Sequence, residues 1–138
     1  MKEWKEYYKK SISDKPSKVL EEFFKRGLGN TMQKRAIDLG CGVGNDTTYL
    51  LKKDYYVTAV DKEKDIIEII KNRLSDTSKL EFVIDKFENI KLNKSDLVIS
   101  NFSMSFCNPK YFQRFCDEII KNININGYFV GNFFRKRR

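Results

Sequence analysis

The stretch Ala36-Ile37-Asp38-Leu39-Gly40-Cys41-Gly42-Val43-Gly44 decides the reading of this chain. A short apolar run, broken once by an aspartate, leads into three glycines spaced two apart. Glycine lets a backbone turn sharply and approach a ligand with no Cβ in the way. A helix that starts just after the turn presents unpaired N–H groups. Such a turn suits any nucleotide-like ligand, and its details narrow the choice. The spacing is G-x-G-x-G, not the G-x-G-x-x-G of dinucleotide sites, and no Gly-Lys-Ser/Thr follows to make a Walker phosphate loop. Asp38 stands two residues before Gly40. Its charge repels a pyrophosphate and attracts a cationic amino-acid moiety.

Two further acids extend the pattern. Tyr56-Val57-Thr58-Ala59-Val60 reads as a strand and ends at Asp61, 21 residues after Gly40. A carboxylate there can accept both hydroxyls of a ribose. Leu80-Glu81-Phe82-Val83-Ile84 reads as a third strand followed by Asp85, which can accept from an adenine amino group, with Phe87 near enough to cover the ring. The ligand that fits carries an adenosine and a positive centre, and no phosphate. Taken singly, Asp61 and Asp85 read equally well as strand-end turn residues.

The rest of the chain supplies the frame. Trp4, Tyr7, Tyr8 and Ile12 fall at helical spacing. Asp14-Lys15-Pro16-Ser17 opens a second helix, with Pro16 in its first turn and Val19, Leu20, Phe23 and Phe24 on one face; Gly27 and Gly29 end it. A helix runs through Thr47, Tyr49, Leu50 and Leu51, with Asp46 as its cap residue. Another follows through Ile66, Ile67, Ile69, Ile70 and Leu74. Leu97-Val98-Ile99-Ser100 is a fourth strand, ending at Asn101. Asn108-Pro109 caps a helix that turns Tyr111, Phe112, Phe115, Ile119, Ile120 and Ile123 inward. Asn126-Gly127 then turns the chain into the fifth strand, Tyr128-Phe129-Val130. Strands alternating with helices predict an α/β fold, a doubly wound and mostly parallel sheet of about five strands with helices on both faces. Ligands of such sheets bind beyond the strand C-terminal ends, where Asp38 to Gly44, Asp61, Asp85 and Asn101 collect.

Composition removes several chemistries. The 138 residues suit one domain, and the chain has no histidine, so it has neither a Ser-His-Asp nor a Cys-His dyad nor an imidazole metal site. Three cysteines with no Cys-x-x-Cys pair argue against a disulfide framework or a thiolate zinc site, and no metal is expected. Cys41 reads as a filler in the turn, and Cys116 as core. The charged N-terminus lacks the apolar run of a signal peptide and no stretch is long enough to span a bilayer, so the expectation is a cytoplasmic protein without a membrane. The net charge of +8 draws four charges from Arg135-Lys136-Arg137-Arg138. The other lysines are interspersed with acids, which disfavours a nucleic-acid partner.

Asp38-Leu39-Gly40-Cys41-Gly42-Val43-Gly44, Asp61, Asp85 and Asp96-Leu97-Val98-Ile99-Ser100-Asn101 resemble the successive motifs of class I S-adenosylmethionine-dependent methyltransferases. The resemblance covers about residues 34 to 134, and its style is similar to small-molecule enzymes of the tellurite-resistance and thiopurine type. It implies a Rossmann-like fold with S-adenosylmethionine as cofactor and S-adenosylhomocysteine as product. Asp38 and the backbone of Gly40, Cys41, Gly42 and Gly44, with Asn45, would hold the methionine part. Asp61 and Lys62 would bind the ribose side. Asp85, Lys86 and Phe87 would frame the adenine. Asn101 and Phe102 would lie near the methyl sulfonium and a small-molecule substrate. Asn101 and Tyr8 are the candidates for assisting transfer. A site without histidine suits a soft nucleophile that needs little or no base.

By this resemblance, residues 1–30 form a helical segment that covers the cofactor, 31–134 the binding domain, and 135–138 a basic tail. The chain stops after Phe134 and its tail. This implies a sheet truncated after its fifth strand, without the family's C-terminal antiparallel hairpin, and an apolar edge open to pairing with a second copy. A truncated cofactor-binding remnant without turnover is the alternative reading. An RNA-modifying or nucleic-acid-binding domain is a further one, but it lacks a clustered basic face with aromatic residues outside the tail.

Overall fold

Runs rich in apolar and β-branched residues pair into one sheet in the computed structural model, which describes residues 6, 9–31, 33–101 and 107–132. The strands are β1 (Arg35–Leu39), β2 (Tyr56–Asp61), β3 (Leu80–Ile84), β4 (Ser95–Asn101) and β5 (Ile123–Asn132). The helices are α1 (Lys18–Lys25), α2 (Asn45–Lys52), α3 (Ile66–Asn72) and α4 (Phe112–Asn122). The strand order is β3-β2-β1-β4-β5, and every pair is parallel. Parallel strands need crossovers: α2, α3 and α4 supply those after β1, β2 and β4, and the chain passes from β3 to β4 through a single 3-10 turn, Phe87–Asn89. Chain order reverses between β1 and β4, so the crevice of the sheet opens there.

Alternation along each strand divides the core. Ile37, Leu39, Val60 and Val98 pack with Phe115 and Ile119 of α4 and with Ile90 and Leu92. On the opposite face, Ala36, Val57, Leu97 and Ile99 meet Leu20 and Phe23 of α1 and Leu50 of α2. Ala59 on that same face meets Ile66 and Ile70 of α3. The expected α/β architecture with helices on both faces is the one observed. Helix α1 thus shares its core with the sheet. No helix among the described residues is long and apolar enough to cross a membrane.

Several local readings need correction. Pro16 lies outside its helix: Ser17 is the N-cap, and its hydroxyl accepts from the Leu20 amide at 3.4 Å. Ile12 falls beyond the helical residues 9–11 and is exposed. Ile120 does not turn inward. It is 70% exposed, because the stripe of α4 that meets the sheet is centred on Phe115 and Ile119. Asn126-Gly127 is not a turn before the fifth strand. β5 begins at Ile123, pairs with Ser95, bulges, and resumes pairing at Tyr128 opposite Leu97. Asn126, at φ 67°, lies in that bulge.

Asp96, in β4, secures the bulge. Its carboxylate accepts from the Gln33 amide at 2.8 Å and from Asn124 Nδ2 at 3.0 Å. Burial pushes this carboxyl upward, but bonds from Asn124, the Gln33 and Arg35 amides and Thr31 outweigh it, leaving the pKa below the ordinary aspartate value. A carboxyl held low in the folded state stabilises the fold above its unfolded pKa, and that contribution disappears as pH falls through the folded value. Asp96→Ala leaves several part-buried donors without their acceptor and is expected to cost about 1–3 kcal/mol. Urea denaturation at neutral pH measures the loss, and the difference from wild type should shrink toward pH 3. A loss under 0.5 kcal/mol, on the order of a neutral surface change, would remove Asp96 from this role.

Candidate functional site

The glycine turn runs from the end of β1 into α2. Gly40, Gly42 and Gly44 have φ of 67°, 53° and 84°. Gly44 is the N-cap of α2, and a Cβ there would lie 2.7 Å from Ile70 Cγ1. Glycine at 44 is therefore required both by backbone conformation and by the close approach of α3. The amides of Gly40 and Cys41 both donate to the Val60 carbonyl, at 2.7 and 3.0 Å, which ties the turn to the end of β2.

Two cavities open on either side of this turn and share Gly40 and Asn101. The first, about 330 Å³, is lined by Asp38, Cys41, Val43, Asn45 and Asp46 and by Ser13, Lys15, Pro16 and Ser17 on the N-terminal side. The second, about 440 Å³, is lined by Asp61, Lys62, Asp85, Lys86, Phe87 and Glu88. Both lie at the strand C-terminal edge beside the reversal of chain order, where a parallel sheet binds ligands.

Asp38 is 3% exposed and points toward α2, where the Thr47 hydroxyl donates to its Oδ2 at 2.7 Å. Burial pushes its carboxyl well above the ordinary aspartate value, and the charges of Asp46 and Asp61 push the same way. Only the Thr47 bonds oppose them. A buried acid with two acidic neighbours and no cation bonded to it among the described residues is an unbalanced group, and a cationic ligand in the adjoining cavity would balance it.

Asp61 uses both oxygens on the backbone. Oδ2 accepts from the Gly42 amide and Oδ1 from the Glu63 amide, each at 3.0 Å. Each oxygen keeps a second lone pair, so the carboxylate is oriented by the protein and can still accept from a diol. Asp85 is exposed. Its amide donates to the Asp61 carbonyl and its Oδ1 accepts from the Lys86 amide at 2.7 Å. Phe87 stacks on Phe115 at 5.0 Å and 8° between planes, so one face of the ring serves the core while the residue still lines the second cavity. Cys41 is buried against Ala59, Ile66 and Ile70. Burial and the charges of Asp38 and Asp61 push its thiol well above the usual value, the opposite of an activated nucleophile. Asn101 ends β4 between the two cavities. Tyr8 and Phe102, also among the candidates, lie outside the described residues, as do Trp4, Tyr7 and the tail.

Several contributors were not legible in the sequence. Asp46 does not cap its own helix; its Oδ1 accepts from the Ser17 amide at 2.6 Å and fastens the start of α1. Burial raises its carboxyl, and the Ser17 amide and hydroxyl draw it back. Arg73, at the end of α3, donates to the Val43 carbonyl at 2.7 Å and to Asn45 Oδ1 at 2.8 Å. Thr47 orients Asp38. These are contacts between distant segments, with no local pattern to announce them.

A family model described as "Methyltransferase domain" matches residues 36–127. A probable ribosomal RNA small subunit methyltransferase A from Methanococcoides burtonii is 30% identical over 82 residues, covering 59% of this chain and 30% of that protein. A carboxy-S-adenosyl-L-methionine synthase from Campylobacter jejuni is 29% identical over 99 residues, covering 67% of this chain and 41% of its own length. The chain thus spans less than half of these curated relatives. Among solved structures, the CcbJ methyltransferase from Streptomyces caelestis superposes with a TM-score of 0.73 at 15% identity, over 91% of this chain and 53% of that one. The chain belongs to the methyltransferase domain family and has the Rossmann-like fold of the class I enzymes, whose cofactor is S-adenosylmethionine.

Proposed function

We propose that this chain transfers a methyl group from S-adenosylmethionine to a small-molecule acceptor. The observation that carries the reading is the pair of cavities meeting at Gly40 and Asn101, one holding the unbalanced acid Asp38 and the other Asp61 and Asp85. Asp38 and the turn backbone take the amino-acid end of the cofactor, Asp61 takes the ribose diol, and Asp85 with Lys86 and Phe87 takes the adenine. When bound, the cofactor supplies an electrophilic methyl group on a sulfonium. Asn101, lining both cavities, stands where the two ends of the ligand join, and its amide orients the incoming acceptor. Placement contributes most of what such a protein adds to the chemistry.

Calorimetry with S-adenosylmethionine and S-adenosylhomocysteine tests the cofactor assignment. Asp61→Ala removes two charge-assisted bonds to the diol and is expected to weaken both ligands about 100-fold. Unchanged affinity in a variant that still melts cooperatively would remove Asp61 from the site, and no adenosyl ligand binding to the wild type would end the proposal. Turnover is read as S-adenosylhomocysteine formation across an acceptor panel. The ribosomal RNA methyltransferase relative favours an RNA acceptor as the second reading, so the panel includes structured RNA. Turnover on RNA alone would replace the small-molecule reading.

A further inference from the structure

The segment just before α1 is wired across the glycine turn. Asn45, the first residue of α2, makes a two-way contact with it: Oδ1 accepts from the Ser13 amide at 3.0 Å and Nδ2 donates to the Ser11 carbonyl at 2.9 Å. Arg73 reaches the same knot from α3. Its Nη2 donates to the Ser13 carbonyl at 2.8 Å, while Nη1 donates to Val43 and Asn45. Asp46 holds the far end of the segment through the Ser17 amide. The fastened stretch is also a wall. Ser13, Lys15, Pro16 and Ser17 line the cavity that contains Asp38.

The charges in that cavity are unequal. Asp38 and Asp46 are its acids, and Lys15 is the one cation among the described lining residues. The amino-acid end of the cofactor is a zwitterion. Its ammonium suits Asp38, but its carboxylate would be repelled by the same acids unless a positive group faces it.

We infer that residues 11–17 form a strap across the amino-acid end of the cofactor, that Lys15 is the partner of the ligand carboxylate, and that Arg73 is the positioning residue that holds the strap in place. This rests on the cofactor reading above and adds a specificity element to it. Lys15 acts by charge, and Arg73 acts through Ser13 and Asn45 without touching the ligand. The strap thereby distinguishes an adenosyl ligand that carries an amino acid from one that does not.

Two ligands separate these effects. S-adenosylhomocysteine carries the amino-acid end, whereas 5′-methylthioadenosine shares the adenosine and thioether and lacks it. In calorimetry on the full chain, Lys15→Met and Arg73→Met are expected to weaken S-adenosylhomocysteine about tenfold and to leave methylthioadenosine within about twofold. The double variant should lose little more than either single, because both act through one element. Arg73→Lys, which keeps the charge but not the fork, should recover only part of the loss. Equal weakening of both ligands, or of neither, overturns the inference even where the wild type binds both. Lys15 is exposed, so Lys15→Met keeps the test valid if Arg73→Met fails to fold. A wild type that binds neither ligand overturns the cofactor reading itself and the strap with it.

Discussion

Asp38→Asn is expected to raise the melting temperature of the ligand-free protein while weakening S-adenosylmethionine binding by about 100-fold or more. The two effects share one cause. In the ligand-free protein Asp38 is buried beside two other acids and is pushed toward its neutral form. Asparagine has nearly the same shape, keeps an oxygen for the Thr47 hydroxyl and removes the charge. The ligand's ammonium needs that charge. Removing one member of a buried ion pair typically costs about 3–5 kcal/mol, which is two orders of magnitude or more in affinity.

The pH dependence follows with its sign. An acid whose folded pKa is raised binds more protons folded than unfolded, over the range between its unfolded and folded values. Its contribution to stability therefore falls as pH rises through that range. Cation binding favours the ionised form, so affinity for S-adenosylmethionine should rise over the same range, with proton release. Calorimetry in two buffers of different ionisation heat measures the release. A wild type whose affinity is flat with pH, or an Asp38→Asn variant that retains full affinity, would contradict this role.

Gly44→Ala is expected to destabilise the fold strongly through one added methyl. Gly44 has φ 84°, a left-handed conformation that costs an L-residue about 1–2 kcal/mol. The new methyl would also sit 2.7 Å from Ile70 Cγ1 and 2.9 Å from Cδ1, in a core with Cys41, Ala59 and Ile66. Overpacking of this kind costs about a further 1–3 kcal/mol. The sum, about 2–5 kcal/mol, is a large part of the 5–15 kcal/mol that roughly bounds the stability of a small domain. Gly42→Ala is the internal control. Gly42 also has positive φ, 53°, but a Cβ there meets nothing within 4 Å. It should incur the backbone cost alone. Chemical denaturation of both variants gives the difference, and Ile70→Val in the Gly44→Ala background should recover part of it. Equal losses at 42 and 44 would show that the contact with α3 does not matter.

The gathering of the candidate residues at one sheet edge was legible where each is local to one strand end. Asp38 lies within the first apolar strand run, Asp61 and Asn101 close theirs and Asp85 follows the third, and a parallel sheet brings such ends to one edge whatever the rest of the chain does. The β3 bounds, Leu80–Ile84, match the alternating run as read. Readings failed where local pattern met tertiary packing. Ile120 fits a helical stripe, yet the sheet covers only the part of α4 around Phe115 and Ile119. Asn-Gly at 126–127 is a strong turn signal, yet β4 offers paired backbone on both sides of it, so the chain absorbs the turn as a bulge and Asp96 secures it.

By itself the sequence determined the strand–helix order, the glycine turn with its leading acid, and the succession of acids that together suggest an adenosyl ligand. These depend on neighbours within a few residues, through periodicity, backbone freedom and charge. Only the tertiary structure decided that Asp38 is buried among acids and held by Thr47, and that Ser13, Asn45 and Arg73, separated by up to 60 residues, join in one knot across the turn. Burial and long-range hydrogen bonding are properties of the assembled layers. No spacing along the chain encodes them, because the same arginine on a helix packed one turn further round would face water.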